Sequence, residues 1–312
     1  MADLTAPQFT DANAARQALE AVRWPNGPVC PHCGSVDDNV TKMEGKAHRP
    51  GLYHCKGCKG QFSVTVGTVY ERSHIPLNKW LLATHLLAAG KKGTSAHQLH
   101  RMLGITYKSA WFMAHRIREA MKDTSTEPMG GKGQHIEADE TYIGNKPGVK
   151  KARSTHHKHA VFTLVERSGK ARSFHVDKVT AKKLAEITRN NVSLESTLNT
   201  DEALRYVKMG KGFKGGHQVV NHSKGQYGLG DHTTNSVEGF YSIFKRGMKG
   251  VYQHCSEAHL QRYLAEFDFR YSNRATLGVS DKERATKALK GIEGKRLTYR
   301  RINERTATPS LG

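Results

Sequence analysis

The apolar residues of this chain change their period near its middle, and the change divides it in two. In the first part they recur at helical spacing. Within Asp11–Val22, Ala14, Ala15, Leu19 and Val22 share a face, the mark of a short amphipathic helix. "LNKWLLATHLLAAG" predicts a helix that stops at Gly90, and "SAHQLHRMLG" and "TYKSAWFMAHRIREAM" predict two more joined through "GIT". "DTSTEPMGGKGQ" breaks the pattern and marks a boundary. Beyond it, "HIEADETYIG", "HAVFTLVERSG" and "KARSFHVDKV" read as strands, the last two forming a hairpin through Ser168-Gly169. A helix "AKKLAEITRNNV" follows, then strand-like "STLNTDE" and "VVNHS", then the helices "NSVEGFYSIFKRGMKG" and "EAHLQRYLAEFDFRYSN". The order predicts a mixed α/β domain over residues 133–275. Before it come an N-terminal helix (1–25), a cysteine-bearing segment (26–76) and a helical segment (77–123). Residues 276–312 read as a basic tail, with poor order expected beyond Thr298.

Charge narrows the class of partner. The 312 residues carry 49 Lys and Arg against 28 Asp and Glu, a formal net charge of +21. Such an excess suits a dense polyanion: nucleic acid first, an anionic membrane surface second. No apolar run is long enough to span a bilayer, and the N-terminus lacks the core of a signal peptide, so a cytoplasmic protein is expected.

Four of the five cysteines form two knuckles, Cys30-Pro31-His32-Cys33 and Cys55-Lys56-Gly57-Cys58, separated by 21 residues (34 to 54). Two residues between thiols let both sulfurs of a tight turn face one ion, and four thiolates close a tetrahedral structural Zn²⁺ site. Gly34 and Gly57 would supply the freedom the turns need. His32 and His54 read as neighbours rather than ligands, and Cys255 as a plain residue at a helix start. "KGQFSVTVGTVYERSHIP" alternates apolar and polar residues and predicts the outer strands of a small ribbon. Lys42, Lys46, Arg49, Lys56 and Lys59 flank it, fit either for DNA contact or merely for solubility.

The helical segment has helix-turn-helix spacing around Gly104. Ser95 or Thr94 could cap its first helix. Its second would present Thr106, Tyr107 and Lys108 at the N-terminal end, where a recognition helix meets base edges. Ala110, Met113, Ala114 and Ile117 would pack inward. An ordinary helical hairpin satisfies the same pattern; the basic balance favours DNA.

Acids are scarce enough to be informative. Asp139-Glu140 lies in a predicted strand, so the two side chains point to opposite faces, and periodicity does not choose between them. Asp201-Glu202 lies where a strand gives way to an expected helix. Asp201 suits either a site at the strand's end or a helix cap, and Glu202 suits a first turn. Glu238 edges an apolar stripe of Val237, Phe240, Tyr241, Phe244 and Met248, with no Lys or Arg three or four places after it. Asn235 as cap with Glu238 as the reciprocal acid is the alternative. Three carboxylates from two strands and a helix could hold two Mg²⁺ ions for in-line phosphoryl transfer.

In this order, "CPHCGS…YHCKGCKGQFSVTVGTVYERSHIPL", "IEADETYIG", "TDEALRY" and "HTTNSVEGFYSIFKRGMKGVYQHCSEAHLQRYLAEFDFRYSNR" resemble the bacterial insertion-sequence DDE transposases that carry an N-terminal zinc ribbon. The resemblance runs from about Arg23 to Arg274. It implies a ribonuclease-H-like mixed sheet and a metal-binding triad of Asp139, Asp201 and Glu238, with intervals of 61 residues (140 to 200) and 36 residues (202 to 237). It implies Mg²⁺ (or Mn²⁺), double-stranded DNA ends with terminal inverted repeats, and a homodimer or larger synaptic complex. His232 and Asn235 would support the site, while Lys245, Arg246 and Lys249 would hold phosphates or form a plain solvated face. A non-catalytic DNA-binding regulator and a nuclease that cuts without joining are the rival readings.

Overall fold

The computed structural model describes residues 3–167, 169–220 and 233–298. They divide into two compact units: one made of Leu4–Ala83, Ala96–Ala120 and residues 289–298, the other of Thr84–Ser95 and Met121–Ala288.

The first unit opens with α1 (Pro7–Thr10) and α2 (Ala12–Arg23). Asp11 caps α2 by accepting the Ala14 N–H at 2.7 Å, and Ala15 and Leu19 are buried on its inner face. Three short antiparallel strands follow in the order β1-β2-β3: Val40–Lys42, Tyr53–Cys55 and Gln61–Phe62. Trp24 packs edge-on against Tyr53 and Phe62, with ring centroids 5.4 and 5.9 Å away. The outer strands expected from "KGQFSVTVGTVYERSHIP" stop at Phe62. The Val66 N–H bonds back to Ser63 and the Thr68 N–H to Thr65, so the alternation of apolar residues is spent on turns that bury Val64 and Val69.

Helices α3 (Leu77–Ala89), α4 (Ala96–Leu103) and α5 (Tyr107–Met121) match the expected periodic segments. Gly104 takes φ +58° in the α4–α5 turn, and Ala110, Met113, Ala114 and Ile117 are buried. Of the two expected caps for α4, the Thr94 hydroxyl instead donates to the Leu86 carbonyl at 3.2 Å. In α5, Arg116 lies over the Trp80 ring and donates to the Glu71 carbonyl at 2.6 Å. Part of the expected C-terminal tail is built into structure. α9 (Asp281–Lys290) buries Ala285 and Ala288, and Ile292 and Gly294 bond to the backbone of Val69 and Gly67. The residues from Tyr299 on lie outside the described residues.

The second unit is built on a five-stranded mixed sheet of order β6-β5-β4-β7-β8. β4 (His135–Ile143), β5 (His159–Glu166) and β6 (Ala171–Val176) are antiparallel, while β7 (Thr197–Asp201) and β8 (His217–Val220) run parallel to β4. This is the mixed α/β, ribonuclease-H-like arrangement expected. One face carries Ile136, Ala138, Phe162, Leu164 and Leu198 against Leu184 of α6 (Ala181–Asn191) and Tyr206. The other carries Val161 and Val165 against α7 (Asn235–Gly247) and α8 (Glu257–Ser272), through Val237, Phe240, Phe244, Leu264 and Phe267. The helix expected after Asp201 shrinks to one short turn, Leu204–Tyr206, so Glu202 lies outside it. Among the described residues no helix is long and apolar enough to cross a membrane.

Candidate active site

Sheet parity decides what the sequence left open at the first acid pair. Glu137 of β4 stands opposite Asn199 of β7 in a parallel register. Two residues further on, past the last paired position, Asp139 and Asp201 therefore keep the same face of neighbouring strands. That face is the one α7 covers: Tyr241 donates its hydroxyl to the Asp139 carbonyl at 2.6 Å. Glu140 points to the other face, where Arg205 approaches it at 2.5 Å and the Tyr206 hydroxyl donates to it. Glu140 is thus engaged in a half-buried ion pair.

Glu238 sits in the first turn of α7 and receives the Thr234 hydroxyl at 3.0 Å. Thr234 occupies the cap position; Asn235 is exposed and is the first helical residue rather than the cap. Asp201 accepts the Ala203 N–H at 3.0 Å, a local turn rather than a helix cap. The Asp139 carboxyl is pushed up to about 7, first by burial, then by Glu140, Asp201 and Glu238; the Glu140 N–H at 2.8 Å opposes the rise. The charges of Asp201 on β7 and Glu238 on α7 thus both reach the Asp139 carboxyl on β4. Among the described residues the three carboxylates do not form a cluster with all ligand atoms within 4.8 Å, as the cysteines do.

One further acid went unnoticed in the sequence. Glu137 is fully buried and accepts the N–H groups of Ser236 and Val237 at 2.8 and 3.0 Å. Its other oxygen pairs with Arg167 Nε at 2.8 Å, and Arg167 also donates to the Thr233 carbonyl at 3.1 Å. A charge from the sheet thereby satisfies the free donors at the start of α7. The only trace in the sequence is that Glu137 shares a strand face with Asp139.

In the other unit, the knuckles bring four sulfurs together. Cys30 and Cys58 are 3.7 Å apart, Cys33 and Cys55 3.6 Å, and all four ligand atoms lie within 4.8 Å of one another. A tetrahedron of sulfurs 2.3 Å from an ion has edges of about 3.8 Å, so the cage fits one Zn²⁺; a disulfide would need about 2.05 Å. Gly34 takes φ +77°, as expected. Gly57, in contrast to the expectation, takes no positive φ; a Cβ there would lie 2.8 Å from Ser35 Oγ, a hydroxyl that can turn away.

Residues 130–272 match the ISXO2-like transposase domain, and residues 10–61 match a transposase zinc-ribbon domain. The chain belongs to the insertion-sequence transposases with an N-terminal zinc ribbon. Over 280 residues it is 26% identical to a Halobacterium salinarum protein described as an uncharacterized protein in transposable element ISH50, covering 84% of this chain and 91% of that one. A crystal structure of a pre-cleavage Mos1 transpososome aligns with 89% of this chain and 88% of that one, at 11% identity and a TM-score of 0.28. Of the transposase's expected phosphate contacts, Lys245 lies over the Tyr241 ring at 6.0 Å, Arg246 bonds Ser242 at 2.7 Å, and Lys249 is exposed. Tyr107 is exposed and stacks on His97 at 4.3 Å, with Lys108 exposed beside it. His232 lies outside the described residues.

Proposed function

We propose that this DNA transposase works through Asp139, Asp201 and Glu238. They would hold Mg²⁺ or Mn²⁺ while it cuts at the terminal inverted repeats of its element and joins the freed 3′-hydroxyl to target DNA. The single observation that carries this reading is the Asp139 carboxyl, raised to about 7 by burial and by acids that include Asp201 and Glu238. A buried carboxyl under the charge of neighbouring acids is costly to ionise on its own and suits a hard divalent cation. Bound metal would supply charge stabilisation for in-line phosphoryl transfer. The protein's own part is positional. β4 and β7 hold two acids at one depth on one sheet face, and Glu137 with Arg167 fixes the start of α7 and hence Glu238. Lys245 and Arg246 follow Glu238 along α7 and Lys249 lies just past its end, suited to hold phosphates. Tyr107 and Lys108 are candidate contacts to the recognised ends. The cysteine cage would carry a structural Zn²⁺, and the protein would act in the cytoplasm on double-stranded DNA as a dimer or larger complex.

The test is Asp139→Asn in the full chain, assayed for cleavage of an end duplex and joining to a plasmid. Loss of both by more than a hundredfold, with end binding retained, is the expected result. Normal cutting by this variant would remove Asp139 from the proposal, and cutting without joining by the native chain would favour a nuclease.

A further inference from the structure

A second cluster of metal-binding side chains lies on the transposase unit and has no part in the proposed function. His159 begins β5, His175 lies in β6, and Glu257 is the first residue of α8. Val161 pairs with His175 and Ala160 with Val176, so His159 and His175 stand diagonally on the sheet face that α8 covers. Glu257 reaches both: its carboxylate oxygens are 3.9 Å from His159 Nδ1 and 3.7 Å from His175 Nε2. The three ligand atoms lie within 4.8 Å of one another.

These separations are too long for hydrogen bonds. His159 Nδ1 and His175 Nε2 are buried without a hydrogen-bond partner, and His159 is only 3% exposed. Burying such lone pairs unsatisfied is costly, so their convergence needs a reason. An ion 2.0–2.1 Å from nitrogen and oxygen ligands holds them about 3.4 Å apart. Closing from 3.7–3.9 Å to that distance needs a shift of about half an ångström, which the half-exposed Glu257 side chain can make. The backbone of Asn145 is a hydrogen-bond acceptor for His159. That contact can hold the proton on one ring nitrogen and leave the lone pair of the other facing Glu257, as supporting groups do around metal-bound histidines.

We propose that His159, His175 and Glu257 bind a divalent transition-metal ion of the zinc class, separate from the cysteine cage and from the three acids on the α7 face. Imidazole nitrogens select such an ion over Mg²⁺. The ion would tie the first turn of α8 to the β5–β6 hairpin, where Gln261 already bonds the backbone of His175 and Ser173 at 2.9 and 2.8 Å. With three protein ligands the site keeps an open position.

The experiment uses the full chain loaded with Zn²⁺, desalted and assayed for metal, and in parallel loaded with Co²⁺ and followed by absorption. Two ions per native chain are expected, against one each for Glu257→Gln and His175→Gln. In the Co²⁺ series the thiolate charge-transfer bands of the cysteine cage should persist in both variants, while the weaker visible bands of a nitrogen–oxygen site disappear. One retained ion in the native chain would overturn the proposal, as would a second ion surviving in both variants, since that ion would sit elsewhere, on other histidines or on the three acids. Should a variant fail to fold, the native chain decides alone: a second Co²⁺ equivalent that is washed out on desalting refutes the site.

Discussion

At Asp139 the physics of one carboxyl produces opposite pH dependences for two measurable quantities. Its raised value of about 7, caused first by burial and then by Glu140, Asp201 and Glu238, means that the folded metal-free unit favours the protonated form. An unfolded Asp titrates near 3.9. This acid's contribution to stability is therefore complete below about pH 4 and is lost as pH rises through about 7. Without divalent cation, the native chain should melt lower at pH 8 than at pH 6, and Asp139→Asn should reduce that difference, the remainder coming from Asp268, which burial also raises to about 7; matching slopes would contradict the assignment. Metal binding goes the other way, because the cation takes the deprotonated form. Calorimetric affinity for Mn²⁺ should rise by about tenfold between pH 6 and 8, most of it below pH 7, and level off above pH 8. Glu140 differs from its neighbour only in strand face, yet Arg205 and Tyr206 engage it in a structural pair. Glu140→Gln should thus cost stability without the loss of metal affinity expected of Asp139→Asn.

At the scale of elements, the clamp on α7 matters most. A fully buried Glu137 receives two helix N–H groups and an arginine, so removing it orphans donors and a charge together. Glu137→Ala should lower stability by about 3–5 kcal/mol, in the range for breaking a buried pair. Chemical denaturation with an unchanged midpoint would show the clamp to be idle. Glu137→Gln keeps an acceptor for the helix and should cost less. The knuckles are an element of the same kind, standing beside a small aromatic cluster of Trp24, Tyr53 and Phe62. Cys30→Ser should reduce zinc content by one ion per chain and make the ribbon sensitive to proteolysis, since such small folds draw their stability from the metal; unchanged zinc on elemental assay would refute the cage.

For the whole molecule, a net charge of +21 makes affinity for DNA a matter of counterion release. If 6–10 phosphates are neutralised, binding should weaken by about 10³–10⁵-fold between 50 and 200 mM salt. A flat salt dependence in a filter-binding titration would show that the basic residues do not face the backbone. Asp139→Asn should reproduce the native slope, because it leaves the basic surface intact.

Much of this organisation was readable without coordinates, because it depends on local chemistry. Two C-x-x-C knuckles bring thiols together through tight turns whatever lies between them. The period-2 runs of β4, β5 and β6 and the period-3.6 runs of α4, α5 and α7 reflect side chains that must alternate or recur to reach a core. What failed was local pattern overruled by turns, as beyond Phe62 and after Asp201, and helical pattern masked by charge, as in α9. The choice of Asp139 over Glu140 was of another order. Neighbours on a strand face opposite ways, and only the parallel register of β4 with β7 and the seat of α7 say which of the two shares a face with Asp201. Glu137 and the His159–His175–Glu257 cluster were hidden for the same reason. Each joins residues from separate strands and a helix, and proximity of that kind exists only once the sheet is assembled.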